Sequence, residues 1–316
     1  MKKFFVPLVL GLLSMGIFIS CGDDDDSSNG PVIPANVNNN RNTSGPAEAQ
    51  TRLEFPKLNN NGNSSVIVHN SELNYKTGET GVNYCTEWDN GIRAQRWSCY
   101  QLYASINYNQ NENVKRYDTG VSTPEIPSPT GQYPNDPDCT IFQFSKDPYK
   151  YNGFDHGHIC PSADRQRSTK CNYQTFYLTN MQPQYNKFNA GLWEKMEQIV
   201  RTWADWSDTL YVCKGGTIDK SEDILKYIGK DDYKIPVPKY FFMAVLSKTA
   251  TGYKAIALFA ENLDEDKSKD KIKNYIMSVR ELENRTGIDF FCNLPDQIEE
   301  AVENVDIQEQ AKRWGL

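Results

Sequence analysis

The strongest periodic signal in the chain lies between Asn189 and Trp206. There Leu192, Met196, Ile199, Val200 and Trp203 recur at helical spacing with polar residues between them. The spacing predicts an amphipathic helix with one buried stripe. Ile272, Ile276, Val279 and Leu282 repeat the pattern and predict a second helix over residues 269–284. The other apolar segments are shorter, with β-branched and aromatic residues. Residues 209–213, 240–246 and 253–259 predict core strands, and 82–88 with 95–103 predict a hairpin about the Asn90-Gly91 turn. Residues 140–144 and 175–179 are further strand candidates, bracketing a segment that carries two histidines. No internal repeat is visible.

The N-terminal pattern is of another kind. Lys2 and Lys3 precede an apolar stretch over residues 4–19 that ends at Ser20-Cys21 and four aspartates, Asp23 to Asp26. This resembles a bacterial lipoprotein leader, with residues 1–20 as signal peptide and Cys21 as the lipidated, membrane-attached residue. The acidic run resembles the surface-export signal of Bacteroides-type lipoproteins. That resemblance implies anchoring at the outer membrane or cell surface of a Gram-negative bacterium, or secretion. Residues 21–62 are rich in Asp, Ser, Asn, Gly and Pro, lack apolar periodicity, and are expected to form a flexible tether. Residues 63–316 then make one domain large enough for a sizeable core. Beside Cys21 there are seven cysteines, Cys85, Cys99, Cys139, Cys160, Cys171, Cys213 and Cys292. An oxidising exterior implies that most are paired. Cys85 and Cys99 are placed to bridge the hairpin, and Cys160 and Cys171 bracket a short loop beside the histidines. No Cys-x-x-Cys motif occurs, which argues against a zinc ribbon or a thioredoxin-like redox site.

Charge modifies this picture locally. The net charge of −7 and pI of about 5.2 argue, taken alone, against a partner such as nucleic acid. The acids are concentrated in the tether and in residues 261–316, however. Residues 140–201 hold 8 bases against 5 acids, a positive balance around the histidines able to guide a polyanion.

Two of the three histidines stand in Asp155-His156-Gly157-His158. Histidine is the usual general base near neutrality and a common metal ligand. On the helix that follows, Asn189 and Glu197 are eight residues apart, within roughly 80° on an ideal helix surface. One helix edge therefore offers an amide oxygen and a carboxylate, hard donors suited to magnesium, calcium or manganese. A neutral histidine beside such a metal is a pairing suited to phosphodiester hydrolysis.

These motifs resemble the DNA/RNA non-specific endonucleases of the ββα-metal (His-Me finger) class. Asp155-His156-Gly157-His158 matches their Asp-Arg-Gly-His, and Asn189, Gly191, Trp193 and Glu197 match their Asn-x-Gly-x-Trp-x-x-x-Glu. The likeness continues through Phe176 to Gln184 and Glu281 to Phe291. It implies an α+β fold, a central antiparallel sheet flanked by helices with a ββα-metal motif. It also implies cleavage of DNA and RNA to 5′-phosphate fragments. His158 is implied as the general base and Asn189 as the direct ligand of a hydrated Mg2+, with Mn2+ or Ca2+ as alternatives. Glu197 orients waters, Asp155 and Gly157 support the histidine turn, and Arg116 is the nearest candidate for an upstream phosphate-contacting arginine. His156 replaces the family's arginine, so Arg165 or Arg167 is expected to supply the lost cation, with His156 itself either on the substrate or structural. His69 is taken as structural, and Asn180 and Gln184 either line the site or bond loops. Two rival readings stay open: a catalytically degenerate nucleic-acid-binding lipoprotein, and a zinc phosphodiesterase ligated by both His156 and His158. Nothing in the sequence points to a protein partner.

Overall fold

The computed structural model describes residues 37–59, 62–74, 77–103, 114–120 and 132–316. The expected leader, Cys21 and the acidic run lie outside those residues. Seven antiparallel strands form the central sheet in the order β1-β2-β3-β6-β9-β10-β11. They are β1 (Ser64–Asn74), β2 (Glu79–Asp89), β3 (Ala94–Leu102), β6 (Thr209–Gly216), β9 (Tyr240–Thr249), β10 (Gly252–Glu261) and β11 (Ile276–Met277). Two small ribbons complete the β structure, β4 (Asp155–His158) with β5 (Met181–Gln184) and β7 (Ile224–Ile228) with β8 (Ile235–Pro238). The α+β class with a central antiparallel sheet is therefore present, and so is the β2–β3 hairpin.

The sheet is covered on both faces, which is why its central strands read as unbroken apolar runs. Along β9, Met243 and Val245 face one core with Leu210, Val212, Ile256 and Leu258, while Phe242, Ala244 and Leu246 face the other. This is the two-residue alternation of a strand applied to two buried sides. The first face takes helix α2 (Glu194–Ala204) through Met196, Val200 and Trp203, the stripe seen in the sequence. Helix α1 (Thr169–Gln174) precedes it in the chain. The second face takes α3 (Val279–Thr286) and α4 (Asp296–Glu303) through Leu282 and Val302. A last helix, α5 (Ile307–Arg313), leads to Trp314, whose ring meets Trp203 at 4.5 Å.

Four expectations change. Residues 140–144 and 175–179 are not strands, and the ribbon partner of the histidine segment is β5. The second predicted helix begins only at Val279. Ser278 stops the preceding chain by accepting the Glu281 amide at 3.0 Å, an N-cap, and Ile272 and Ile276 are buried from outside the helix. Residues 37–59, expected within the tether, pack on the domain. Asn38 Nδ2 donates to the Cys292 carbonyl at 2.9 Å, and Phe55 is buried edge-on to Trp97 at 5.0 Å. Asparagine-rich composition suggested a solvated chain, but these amides satisfy main-chain groups instead. Finally, the seven described cysteines are all buried with free thiols, including Cys85 and Cys99, directly opposed across β2 and β3.

Candidate active site

Gly157 is dictated by the β4–β5 ribbon. A Cβ there would lie 2.4 Å from Gln184 Cδ and 2.6 Å from the Gln182 carbonyl oxygen, so only glycine lets the strands approach. Asn180 clamps the chain just past His158. Its Oδ1 accepts the Cys160 amide at 2.9 Å, and its Nδ2 donates to the Cys160 and Thr175 carbonyls at 2.9 and 2.8 Å. Asn180 is thus a loop-bonding residue, whereas Gln184, the last residue of β5, is buried with neither atom of its side-chain amide hydrogen-bonded.

His158 lies at the head of a cleft of about 290 Å³ that is also lined by Arg116, Asn189, Glu194 and Glu197. Three segments far apart in sequence therefore converge on one opening. The imidazole stands edge-on to Phe176 at 4.8 Å and to Tyr133 at 6.2 Å. Its Nε2 is shielded and has no hydrogen-bond partner. A backbone contact with His156 is the one influence that acts to raise its pKa. Burial first, and then the neighbouring Arg116 cation, hold its pKa down to about 3, so the ring is neutral at physiological pH. Arg116 is exposed and rests 4.8 Å over the Phe176 ring, beside the histidine.

Asn189 sits in a wide π-helical turn, Phe188–Trp193, that leads directly into α2. Such turns re-aim side chains relative to an ideal helix. Its Nδ2 donates to Asp155 Oδ2 at 2.9 Å, and Asn186 Nδ2 donates to the same oxygen at 2.9 Å. Asp155, on the histidine strand, thereby fixes the amide orientation and leaves Asn189 Oδ1 as the uncommitted hard donor on the cleft. Glu197 contributes differently. Its Oε1 accepts Lys214 Nζ at 2.6 Å, and its Oε2 accepts Arg201 Nη2 at 3.4 Å. Burial raises its pKa, while Lys214 and Arg201 oppose the rise. With both oxygens already held by cations, it suits accepting bonds from nearby waters better than ligating a metal directly.

Two predicted substrate contacts fall elsewhere. Arg165 and Arg167 are 1% and 2% exposed. Arg165 donates to the Asp164 and Gln101 carbonyls at 2.8 and 3.3 Å and lies 4.5 Å over Tyr100, so its charge is spent inside the fold. His156 is also engaged: Asp147 holds its Nε2 at 2.9 and 3.0 Å, between the rings of Tyr133 at 3.8 Å and Tyr149 at 4.2 Å. This structural role for His156 removes it as a ligand paired with His158. Trp193 is buried under Lys214 and packs rather than faces solvent.

Sequence reasoning missed Lys214, Arg201, Asp164 and Asp147. Arg201 follows Glu197 at the i+4 spacing of a helical ion pair, and Lys214 interrupts an otherwise apolar strand; both were available as signals. His69, taken as structural, bonds Asp136 Oδ2 at 2.9 Å and stacks on Tyr84 at 4.2 Å. With Asp138 these residues form the group of metal-ligating side chains found within 4.8 Å of one another among the described residues, outside the lining of the cleft. Asp136 is already satisfied by His69, by Thr179 Oγ1 at 2.5 Å and by the Asp138 amide at 2.9 Å, so the trio pins β1 to its neighbouring loop.

Two antiparallel strands and a helix, with a histidine on the first strand sharing a cleft with an asparagine and a glutamate from the helical segment, define a ββα-metal module. The chain belongs to the DNA/RNA non-specific endonuclease family, whose model matches residues 74–297. It is 32% identical over 163 residues to a nuclease of a Nostoc species, covering 49% of this chain and 57% of that protein. It is 23% identical over 224 residues to the mitochondrial nuclease EXOG of Danio rerio, covering 68% and 61%. Mitochondrial endonuclease G of Homo sapiens is 27% identical over 154 residues, covering 46% and 51%. The chain thus spans between half and two thirds of the length of these curated relatives. Its fold is similar to a chain in the crystal structure of an EndoG/EndoGI complex, with a TM-score of 0.54 at 22% identity, covering 66% of this chain and 83% of that one.

Proposed function

We propose that this chain hydrolyses phosphodiester bonds in DNA and RNA without regard to sequence, leaving 5′-phosphate ends. The observation that carries the reading is the shared cleft, where a neutral His158 with a free Nε2 stands with Asn189, whose amide Asp155 has fixed. The His158 imidazole takes a proton from the attacking water. The exposed Arg116 guanidinium pairs with the phosphate oxygens and draws the strand toward the histidine. Glu197, paired with Lys214 and Arg201, accepts hydrogen bonds from water in the cleft. The donor set fits a hard divalent cation, magnesium first with manganese or calcium as alternatives: Asn189 Oδ1 would hold it and Glu197 would accept bonds from its waters. When bound, such a cation supplies charge stabilisation to the crowded phosphate and the departing oxygen.

The reading extends to a lipid-anchored protein at the outer membrane or cell surface, supported by the leader pattern ending at Cys21. Degradation of plasmid DNA and of RNA in magnesium, wild type against His158→Ala, tests the activity. A protein that binds nucleic acid but leaves it intact across metals would be a binding module instead. Tight stoichiometric zinc lost in a His156→Ala variant would restore the zinc phosphodiesterase reading.

A further inference from the structure

An aromatic side chain near the histidine strand has no part in the chemistry above. Tyr151 is 94% exposed and its φ is 64°, in the left-handed region that a bulky residue seldom adopts. Such backbone persists where its surroundings impose it. Here the turn is tied down on several sides. Tyr149 N donates to Asp147 Oδ1 at 2.9 Å, Asn152 N to the Tyr149 carbonyl at 3.2 Å, and Asn152 Nδ2 to the Pro148 carbonyl at 2.6 Å. Asp147 also holds His156, and the Tyr149 ring packs on the same imidazole. The turn that presents Tyr151 is thus fastened to the strand that carries His158.

The surrounding charge suits a polyanion. Lys150 Nζ lies 5.4 Å from the Tyr151 ring centroid. Phe154, Tyr149, Ile228 and Ile235 belong to one apolar cluster, which joins this turn to the β7–β8 ribbon. On that ribbon Lys226 Nζ sits 4.8 Å over Phe154, and the half-exposed Tyr227 has Lys234 Nζ 4.7 Å over its ring. Two open tyrosine rings, Tyr151 and Tyr227, thus each have a lysine beside them. Exposed aromatic rings among cations form the platform on which unpaired bases stack, whereas a duplex keeps its base faces closed. Seven residues separate Tyr151 from His158, so their Cα atoms lie at most about 25 Å apart, a span that a short oligonucleotide covers.

We propose that Tyr151, with Tyr227 beyond it, stacks unpaired bases of a strand whose phosphodiester lies at His158, making single-stranded DNA or RNA the preferred form of the substrate. The proposal rests on the nuclease reading and deepens it. The test is fluorescence anisotropy on the full chain carrying His158→Ala, with a short labelled single strand and with the duplex of the same sequence. Adding Tyr151→Ala is expected to weaken single-strand binding about tenfold while duplex binding changes by less than about twofold. Tyr151→Gly, which suits the left-handed backbone, gives the same loss, and Tyr151→Trp restores binding. Equal losses for single strand and duplex, or no loss for either, overturn the proposal while leaving the nuclease reading in place. A wild-type protein that neither binds nor cuts any nucleic acid overturns both.

Discussion

Replacing Lys214 with methionine probes how the cleft holds a buried carboxylate. Lys214 is 1% exposed, with Nζ 2.6 Å from Glu197 Oε1 and 4.6 Å over the Trp193 ring. Methionine fills most of that volume and removes the cation. Glu197, with only 12% of its side chain exposed, is then left with Arg201 at 3.4 Å. Breaking a buried ion pair by deleting one partner costs about 3–5 kcal/mol. The remaining arginine and the partial exposure reduce this to about 2–3 kcal/mol. Lys214 is the largest influence opposing the burial that raises the pKa of Glu197, so its loss raises that pKa further. Urea unfolding measures the stability change, and the pH dependence of kcat/KM on plasmid DNA measures the titration. The acid limb is expected to move to higher pH. Adding Glu197→Gln to Lys214→Met removes the stranded charge, so the double variant should regain stability without regaining activity. A Lys214→Met protein within about 0.5 kcal/mol of wild type, with an unmoved acid limb, would refute the reasoning.

The remaining predictions concern the histidine and its neighbours. His158→Ala should lower plasmid cleavage by about 10²- to 10⁴-fold; cleavage within about tenfold of wild type would show that another group is the base. Asp155→Ala frees the amides of Asn186 and Asn189, and the magnesium concentration for half-maximal cleavage should rise about 10- to 100-fold; an unchanged titration would remove Asp155 from its anchoring role. The depressed pKa of His158 also has a consequence for stability. Between its ordinary value of 6.5 and about 3, the unfolded chain takes up a proton that the folded chain refuses. Stability from this residue is therefore full above pH 6.5 and is lost as pH falls through that window. Urea unfolding across the window should show a shallower pH slope for His158→Gln, and parallel slopes would contradict the buried neutral ring.

Much of the site was legible because its chemistry is local. The Asp155–His158 tetrapeptide and the Asn189–Glu197 spacing each lie within one short element, and neither depends on a distant contact for its meaning. Five of the seven strands of the central sheet were legible too, since burial on both faces leaves long apolar runs such as 240–246, whereas β11 falls within the segment expected to be helical. What could not be read was where long polar side chains end. Arg165 and Arg167 stand close in sequence to the histidines and looked like substrate cations. The turn between β4 and α1 instead buries them against main-chain carbonyls. The residues 37–59 misled for a related reason: composition reports solvation, while asparagine amides can satisfy a carbonyl of another segment over 250 residues away.

The sequence by itself determined the candidate base, the amide and carboxylate that accompany it, the mixed α+β pattern and the helix that presents Asn189 and Glu197. These follow from residue type and periodicity within single elements. Only the tertiary structure decided that His158 is neutral with a free Nε2, that Asp155 orients Asn189, that Lys214 and Arg201 hold Glu197, and that His156 is clamped by Asp147 between two tyrosines. Each of these depends on burial and on partners brought from other strands and loops. Electrostatics and hydrogen bonding act through space, and the distances that govern them exist only once the sheet and its two covering layers have formed.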